Sequence, residues 1–228
     1  PPQELDRAGL DRIRAAFARA AERAVHIGFD VIELHMAHGY LMHQFLSPLS
    51  NKRRDEYGGT LENRLRFPLE VFDAVRAVVP ASTPLGLRVS ATDWIDGGWT
   101  PEDTIVLAQE IERRGGSFID VSTGGISTKA QIPLRPGYQV PFAMHIKERT
   151  AMAVMTVGLI ADPRLADSIV ASGQADLVSI GRAMLDDPRW PWHAAVALGA
   201  ELALPAQYGY AVGAKWRELA TPAAKAAE

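Results

Sequence analysis

The chain contains no cysteine. That excludes a disulfide framework, Cys-ligated zinc, an iron–sulfur cluster and a thiol nucleophile, and it fits a reducing, cytoplasmic compartment. No charge of one sign dominates: 24 Lys+Arg stand against 27 Asp+Glu, a net charge of −3. A sequence-wide electrostatic attraction to nucleic acid or to an anionic membrane is therefore not expected. No apolar run approaches the roughly 20 residues of a membrane-spanning helix, and the N-terminus lacks a charged-then-apolar export signal. The dinucleotide fingerprint G-x-G-x-x-G is also missing, which argues against an open nucleotide-binding sheet.

What is present is a regular alternation. The 228 residues are 47% hydrophobic, enough for a sizeable core. Leu5 to Val25 carries an apolar stripe of helical period, and Gly28 ends it. Phe29 to Leu34 reads as a buried strand, followed by a long loop from Met36 to Gly59. Thr60 caps a helix to about Val79, and Leu85 to Ser90 is the second strand. A helix over Glu102–Arg114 precedes the strand Ser117–Val121, and a helix at Phe142–Arg149 precedes the strand Val154–Val157. A helix from Asp162-Pro163 to Gly173 leads to the strand Ala175–Ile180, and Asp187-Pro188 opens a last helix to about Leu198.

Five strands alternating with helices, with no linker-like tract between them, predict one α/β domain over residues 1–228 with a parallel sheet. Residues 221–228 read as a frayed tail. The long polar loops follow the C-terminal strand ends, which favours a (β/α)8 TIM barrel. The last two strands run into Gly158 and Gly181-Arg182, and paired glycine turns there form the usual phosphate cradle of a barrel. Such a barrel takes about 250 residues. With five of eight units, with Pro1 first and Met36 the first methionine, the chain is expected to lack roughly the first three strands.

Strand one leads into His35, His38 and Tyr40, which can point into one pocket. With His43 nearby, zinc and pocket lining are both open readings of these imidazoles. Arg88 lies inside an apolar strand and implies a partner; Glu33 and Asp120 at neighbouring strand ends are the structural choices.

The words His35-Met-Ala-His38-Gly-Tyr-Leu41, Gln44 to Asn51, Arg53, Asp55, Tyr57-Gly-Gly59 and Glu62-Asn-Arg64 to Phe67 resemble the old yellow enzyme family. The likeness continues through Leu87-Arg-Val-Ser90, Gly137-Tyr-Gln139 and Ile180-Gly-Arg182, in order along nearly the whole chain. The His/His pair is similar to the thermophilic-like, xenobiotic-reductase branch. The resemblance implies an FMN flavoprotein on a TIM barrel, an ene-reductase that takes hydride from NADPH or NADH and reduces the C=C bond of α,β-unsaturated carbonyl compounds. It implies small activated alkenes as substrates, a homo-oligomer, and no metal. The alternative is a non-catalytic fragment that needs its N-terminal part to bind flavin.

By the same resemblance His35 and His38 bind the substrate carbonyl oxygen, and Tyr40 donates the α-proton; packing at the barrel mouth is the other reading of Tyr40. Arg88 faces the flavin N1/O2 edge, and Gly158, Gly181 and Arg182 hold the phosphate. Gln139 is either a flavin-side amide or a loop stabiliser. The branch often has an arginine at the position of Tyr210, which puts an inter-subunit arginine in doubt here.

Overall fold

Gly28, with φ +90°, turns the chain out of its first helix. In this computed structural model, which describes residues 3–202 and 204–208, that helix is α1 (Arg7–His26), capped by the Asp6 carboxylate accepting from the Gly9 N–H. Phe29 and Val31 remain exposed after the turn, so the first strand starts later than the apolar run suggests. It is β1 (Ile32–Met36), in which Ile32, Leu34 and Met36 face the helices and Glu33 and His35 face the opposite side. The loop predicted from Met36 to Gly59 holds a short helix, α2 (Leu41–Leu46), that buries Met42, Phe45 and Leu46.

The remaining units follow the expected order: α3 (Leu61–Arg76), β2 (Leu85–Ser90), α4 (Pro101–Arg113), β3 (Phe118–Ser122), α5 (Val140–Lys147), β4 (Ala153–Thr156), α6 (Pro163–Ala171), β5 (Leu177–Val178), α7 (Arg182–Asp186) and α8 (Trp190–Leu198). Thr100 and Asp103 form a reciprocal capping box on α4. Three details differ from the sequence reading, the first being α7, a short helix between β5 and the last helix that the alternation did not predict. β5 shrinks to two residues because it is an edge strand, bonded to β4 alone among the described residues. The last helix starts at Trp190 because the Asp187 carboxylate accepts from the Arg189 N–H, a turn instead of a helical cap.

The sheet runs β1-β2-β3-β4-β5 with every neighbouring pair parallel. Consecutive parallel order with helices between the strands is the order of a (β/α)8 barrel, and five of its strands lie in the described residues. Helices cover one face, where Leu85, Leu87, Val89, Ile119, Val121 and Val154 are buried. The other face carries the register row His35, Arg88, Asp120, Met155. Tyr210 and residues 221–228 lie outside the described residues.

Candidate functional site

The functional side chains sit at and just beyond the C-terminal strand ends. His35 belongs to β1 itself, not to the loop after it, because the strand is displaced toward Met36. His38 follows two residues later in a left-handed turn, φ 59°, with Gly39 at φ 77°. Gly39 could be no other residue: a Cβ there would lie 2.3 Å from the Gly125 carbonyl oxygen. The turn brings the His35 and His38 rings to 5.2 Å between centroids, and the Tyr40 ring to 5.5 Å from His35. Tyr40 is 64% exposed among the described residues, its ring edge turned to His35.

His38 is held from two directions. Its backbone N–H donates to Ser90 Oγ at 3.0 Å, and its Nε2 lies 2.7 Å from Ser122 Oγ. Burial, with Arg88, His35 and His43 nearby, lowers its pKa from 6.5 to about 4. His35 is lowered too, by burial and then by Arg88 and His43. Both rings are thus largely neutral at pH 7; His38 keeps an N–H to offer, at Nδ1, when the Ser122 hydroxyl donates to its Nε2.

His43 does not join them. Its Nδ1 accepts from the Gly39 N–H at 2.9 Å and its Nε2 lies 2.9 Å from Asp93 Oδ1. Both ring nitrogens are occupied, which removes His43 from the imidazole trio that a zinc reading needed. Ser47 Oγ donates to Asp93 Oδ2 at 2.6 Å. The hydroxyl addresses the carboxylate and not the imidazole, so Ser47, His43 and Asp93 do not make a nucleophilic triad.

Arg88 finds Asp120, its register partner, with Nε 3.3 Å from Oδ2; Glu33 lies level with Gly86 instead. Yet Arg88 Nε and Asp120 Oδ1 are buried with no hydrogen-bond partner among the described residues. Burial raises Asp120, with Arg88 acting against it. Glu33 is raised by burial and then by Asp120. The pair therefore retains unused polar capacity toward the barrel interior.

Across β3, β4 and β5 lies a cavity of about 300 Å³ whose lining includes Gln139, Gly158, Gly181 and Arg182. Four of the five expected cofactor residues are thus brought together, while Arg88 stands apart on β2. Gly158 has φ +129°, and a Cβ there would meet Gln139 Nε2 and the Tyr138 ring at 3.1 Å. Around Gly181 there is open space instead. Arg182 begins α7, where the first-turn N–H groups have no intrahelical acceptor. Gln139 is 2% exposed; its Nε2 donates to the Val157 carbonyl at 2.9 Å, and its Oε1 accepts from Thr123 Oγ1 at 2.7 Å and lies 3.3 Å from Ser122 Oγ. It ties the loop after β3 to the glycine turn after β4. Ser122 and Asp93 were not identified from the sequence, and Ser90 entered only within the Leu87-Arg-Val-Ser90 likeness; a small hydroxyl or carboxylate at or just after a strand end was the signal they offered.

The arrangement defines a (β/α)-barrel protein with paired neutral imidazoles at one strand end and a glycine-lined cavity across its last two strands. The chain belongs to the NADH:flavin oxidoreductase / NADH oxidase family, whose sequence profile matches residues 2–201. It is 44% identical over 207 residues to an NADPH dehydrogenase of Geobacillus thermodenitrificans (strain NG80-2) and 46% identical over 207 residues to one of Bacillus subtilis (strain 168). Each match covers 91% of this chain and 60% of the relative, so the chain spans about three-fifths of their length. Among solved structures, morphinone reductase in complex with tetrahydroNAD superposes with a TM-score of 0.70 at 31% identity, covering 90% of this chain and 53% of that one. A 2-naphthoyl-CoA reductase complex gives 0.80 at 29%, covering 88% and 31%.

Flavin mononucleotide fits the residues present. The cavity offers a glycine turn that a Cβ would crowd, an arginine and a helix start for a phosphate. The Arg88 Nε–H, ion-paired with Asp120 but making no hydrogen bond among the described residues, is a donor suited to an electron-rich ring edge.

Proposed function

We propose that the protein is an FMN-dependent oxidoreductase that takes hydride from NADPH or NADH and reduces the activated C=C bond of α,β-unsaturated carbonyl compounds. The observation that carries this reading is the pair of neutral rings, His35 and His38, 5.2 Å apart at the end of β1. FMN, when bound, supplies the two-electron exchange between the nicotinamide and the alkene. Gly158, Gly181 and Arg182 would hold its phosphate, Arg88 its electron-rich edge, and Gln139 would brace the turn between them.

His35 and His38 would grip the substrate carbonyl oxygen through N–H donors. Negative charge grows on that oxygen as the β-carbon receives hydride, so the donors stabilise the transition state more than the ground state. Neutral imidazoles suit this work, because they donate without surrendering a proton to the oxygen. The Tyr40 hydroxyl would pass its proton to the α-carbon, and its exposure lets water restore it. The proposal includes a cytoplasmic homo-oligomer; light scattering of the purified protein checks the assembly.

A second reading has its own observation. β1 and β5 each lack an outer partner among the described residues, and Ile27, Phe29 and Val31 are exposed beside β1. This supports a chain that binds flavin only when complementary strands cover that edge. One spectrum separates the two. Purified with FMN, a protein whose yellow band bleaches with NADPH and returns with cyclohex-2-enone fits the first; a chain that retains no flavin until an N-terminal piece is added fits the second.

A further inference from the structure

We propose that the buried pair His43–Asp93 is the positioning element of the carbonyl-binding site, setting the backbone turn that carries His38 and Tyr40; this rests on the reading of His35 and His38 given above.

The turn needs an external hold. His38 and Gly39 are consecutive left-handed residues, and for His38 that conformation is unfavourable. Gly39 lies between His38 and Tyr40, so the orientation of its peptide decides how both side chains leave the strand. Its N–H donates to His43 Nδ1 at 2.9 Å. A backbone N–H can only donate, so Nδ1 carries the lone pair and Nε2 the proton. That proton is directed to Asp93 Oδ1, 2.9 Å away. The tautomer is thereby fixed from both ends.

Asp93 is anchored in turn. Its other oxygen accepts from Ser47 Oγ at 2.6 Å and from the Trp99 N–H at 2.7 Å. The carboxylate thus joins the C-terminal end of α2 to the loop after β2. His43, Ser47 and Asp93 are all 0% exposed, so none of them touches a ligand. Their route to the chemistry runs through the Gly39 peptide.

Asp93→Asn keeps shape but breaks the logic. If the amide oxygen serves Ser47 and Trp99, its NH2 faces His43 and forces the imidazole proton onto Nδ1, against the Gly39 N–H. If the oxygen serves His43, the NH2 confronts the Trp99 N–H. One donor opposes another either way. His43→Gln can still accept from Gly39 and donate to Asp93; His43→Leu can do neither.

The test compares wild type, Asp93→Asn, His43→Gln and His43→Leu, all loaded with FMN, by phenol titration of the flavin spectrum and by hydrogen exchange at the Gly39 amide. We expect Asp93→Asn and His43→Leu to weaken phenol binding about tenfold, with FMN affinity held within about twofold and the Gly39 amide deprotected. His43→Gln should restore both. Phenol affinity unchanged in the two disruptive variants, or equal losses in His43→Gln and His43→Leu, overturns the proposal. If Asp93→Asn does not fold, the two His43 variants decide alone. If the wild-type chain takes up no FMN, the flavin reading fails separately. Positioning is then judged on the flavin-free chain, by Gly39 exchange and by the His38 ring shifts that phenol induces. Wild-type protection of Gly39 in His43→Leu would sink it there.

Discussion

His38 Nε2 lies 2.7 Å from Ser122 Oγ, and the same hydroxyl lies 3.3 Å from Gln139 Oε1. One serine at the end of β3 therefore connects an imidazole at the end of β1 to the amide that braces the glycine turn after β4. The ring orientation on one side of the site is coupled through it to the cavity on the other.

Ser122→Ala removes that anchor and leaves the backbone unchanged. Phenol or enone binding should weaken about tenfold, the scale of one hydrogen bond that orients a ring. FMN affinity should change less, because Gln139 keeps its bonds to Thr123 and Val157. A spectroscopic titration with each ligand measures both, and equal losses would dissociate Ser122 from His38.

The His38 pKa of about 4 fixes a pH window. Its folded value lies below the ordinary 6.5. Between those values the unfolded chain binds more protons, so the stabilising contribution is complete above pH 6.5 and is lost as pH falls toward 4. Carbonyl-ligand affinity should be flat from pH 6 to 8 as far as His38 is concerned. An NMR titration of the histidine rings checks the midpoint; a value near 6.5 would remove the burial argument.

Arg88→Met strands Asp120, which is 3% exposed. The loss should be about 3 kcal/mol at pH 8, the scale of breaking a buried pair. Burial already raises Asp120 above its usual value, and without the cation it rises further. A raised carboxyl contributes stability below its unfolded value, and that contribution is lost as pH rises through the folded one. The variant should thus be closer to wild type at pH 5 than at pH 8 in thermal unfolding. The reverse order would show that Asp120 is stabilised by something other than Arg88.

Gly158→Val places a branched side chain at φ +129° and within 3.1 Å of Gln139 Nε2 and Tyr138. FMN affinity should fall by about a hundredfold or more, since both the turn and the approach to phosphate are blocked. Arg182→Ala should cost about tenfold and make the remaining affinity less salt-dependent. Equilibrium dialysis at two ionic strengths distinguishes the two effects.

Much of this protein was legible in one dimension. The alternation of strands and helices, the parallel sheet and the barrel class follow from periodicity, capping residues and loop lengths, which are local or semi-local properties. His35, His38, Gly158, Gly181 and Arg182 became candidates through the family resemblance, and the fold sets the first two side by side and the last three around one cavity. Boundaries were less legible where an edge decides them. Phe29 looks like strand, yet hydrogen bonding begins at Ile32, where Pro84 supplies its carbonyl, and β5 has one neighbour to pair with and stays short.

The assignments that needed three dimensions are those in which two residues far apart compete for one partner. The sequence alone determined that Arg88 requires a counter-charge, and register chose Asp120, which is level with Arg88, over Glu33, which shares that face but lies level with Gly86, two residues down the strand. Sequence likewise placed three histidines within nine residues of one another. Only the fold separated them, since the left-handed turn at His38 and Gly39 directs His43 away from His35 and His38 and into the buried Asp93 carboxylate. A side chain's chemistry is written in its type, and its role depends on which donor or acceptor reaches it first.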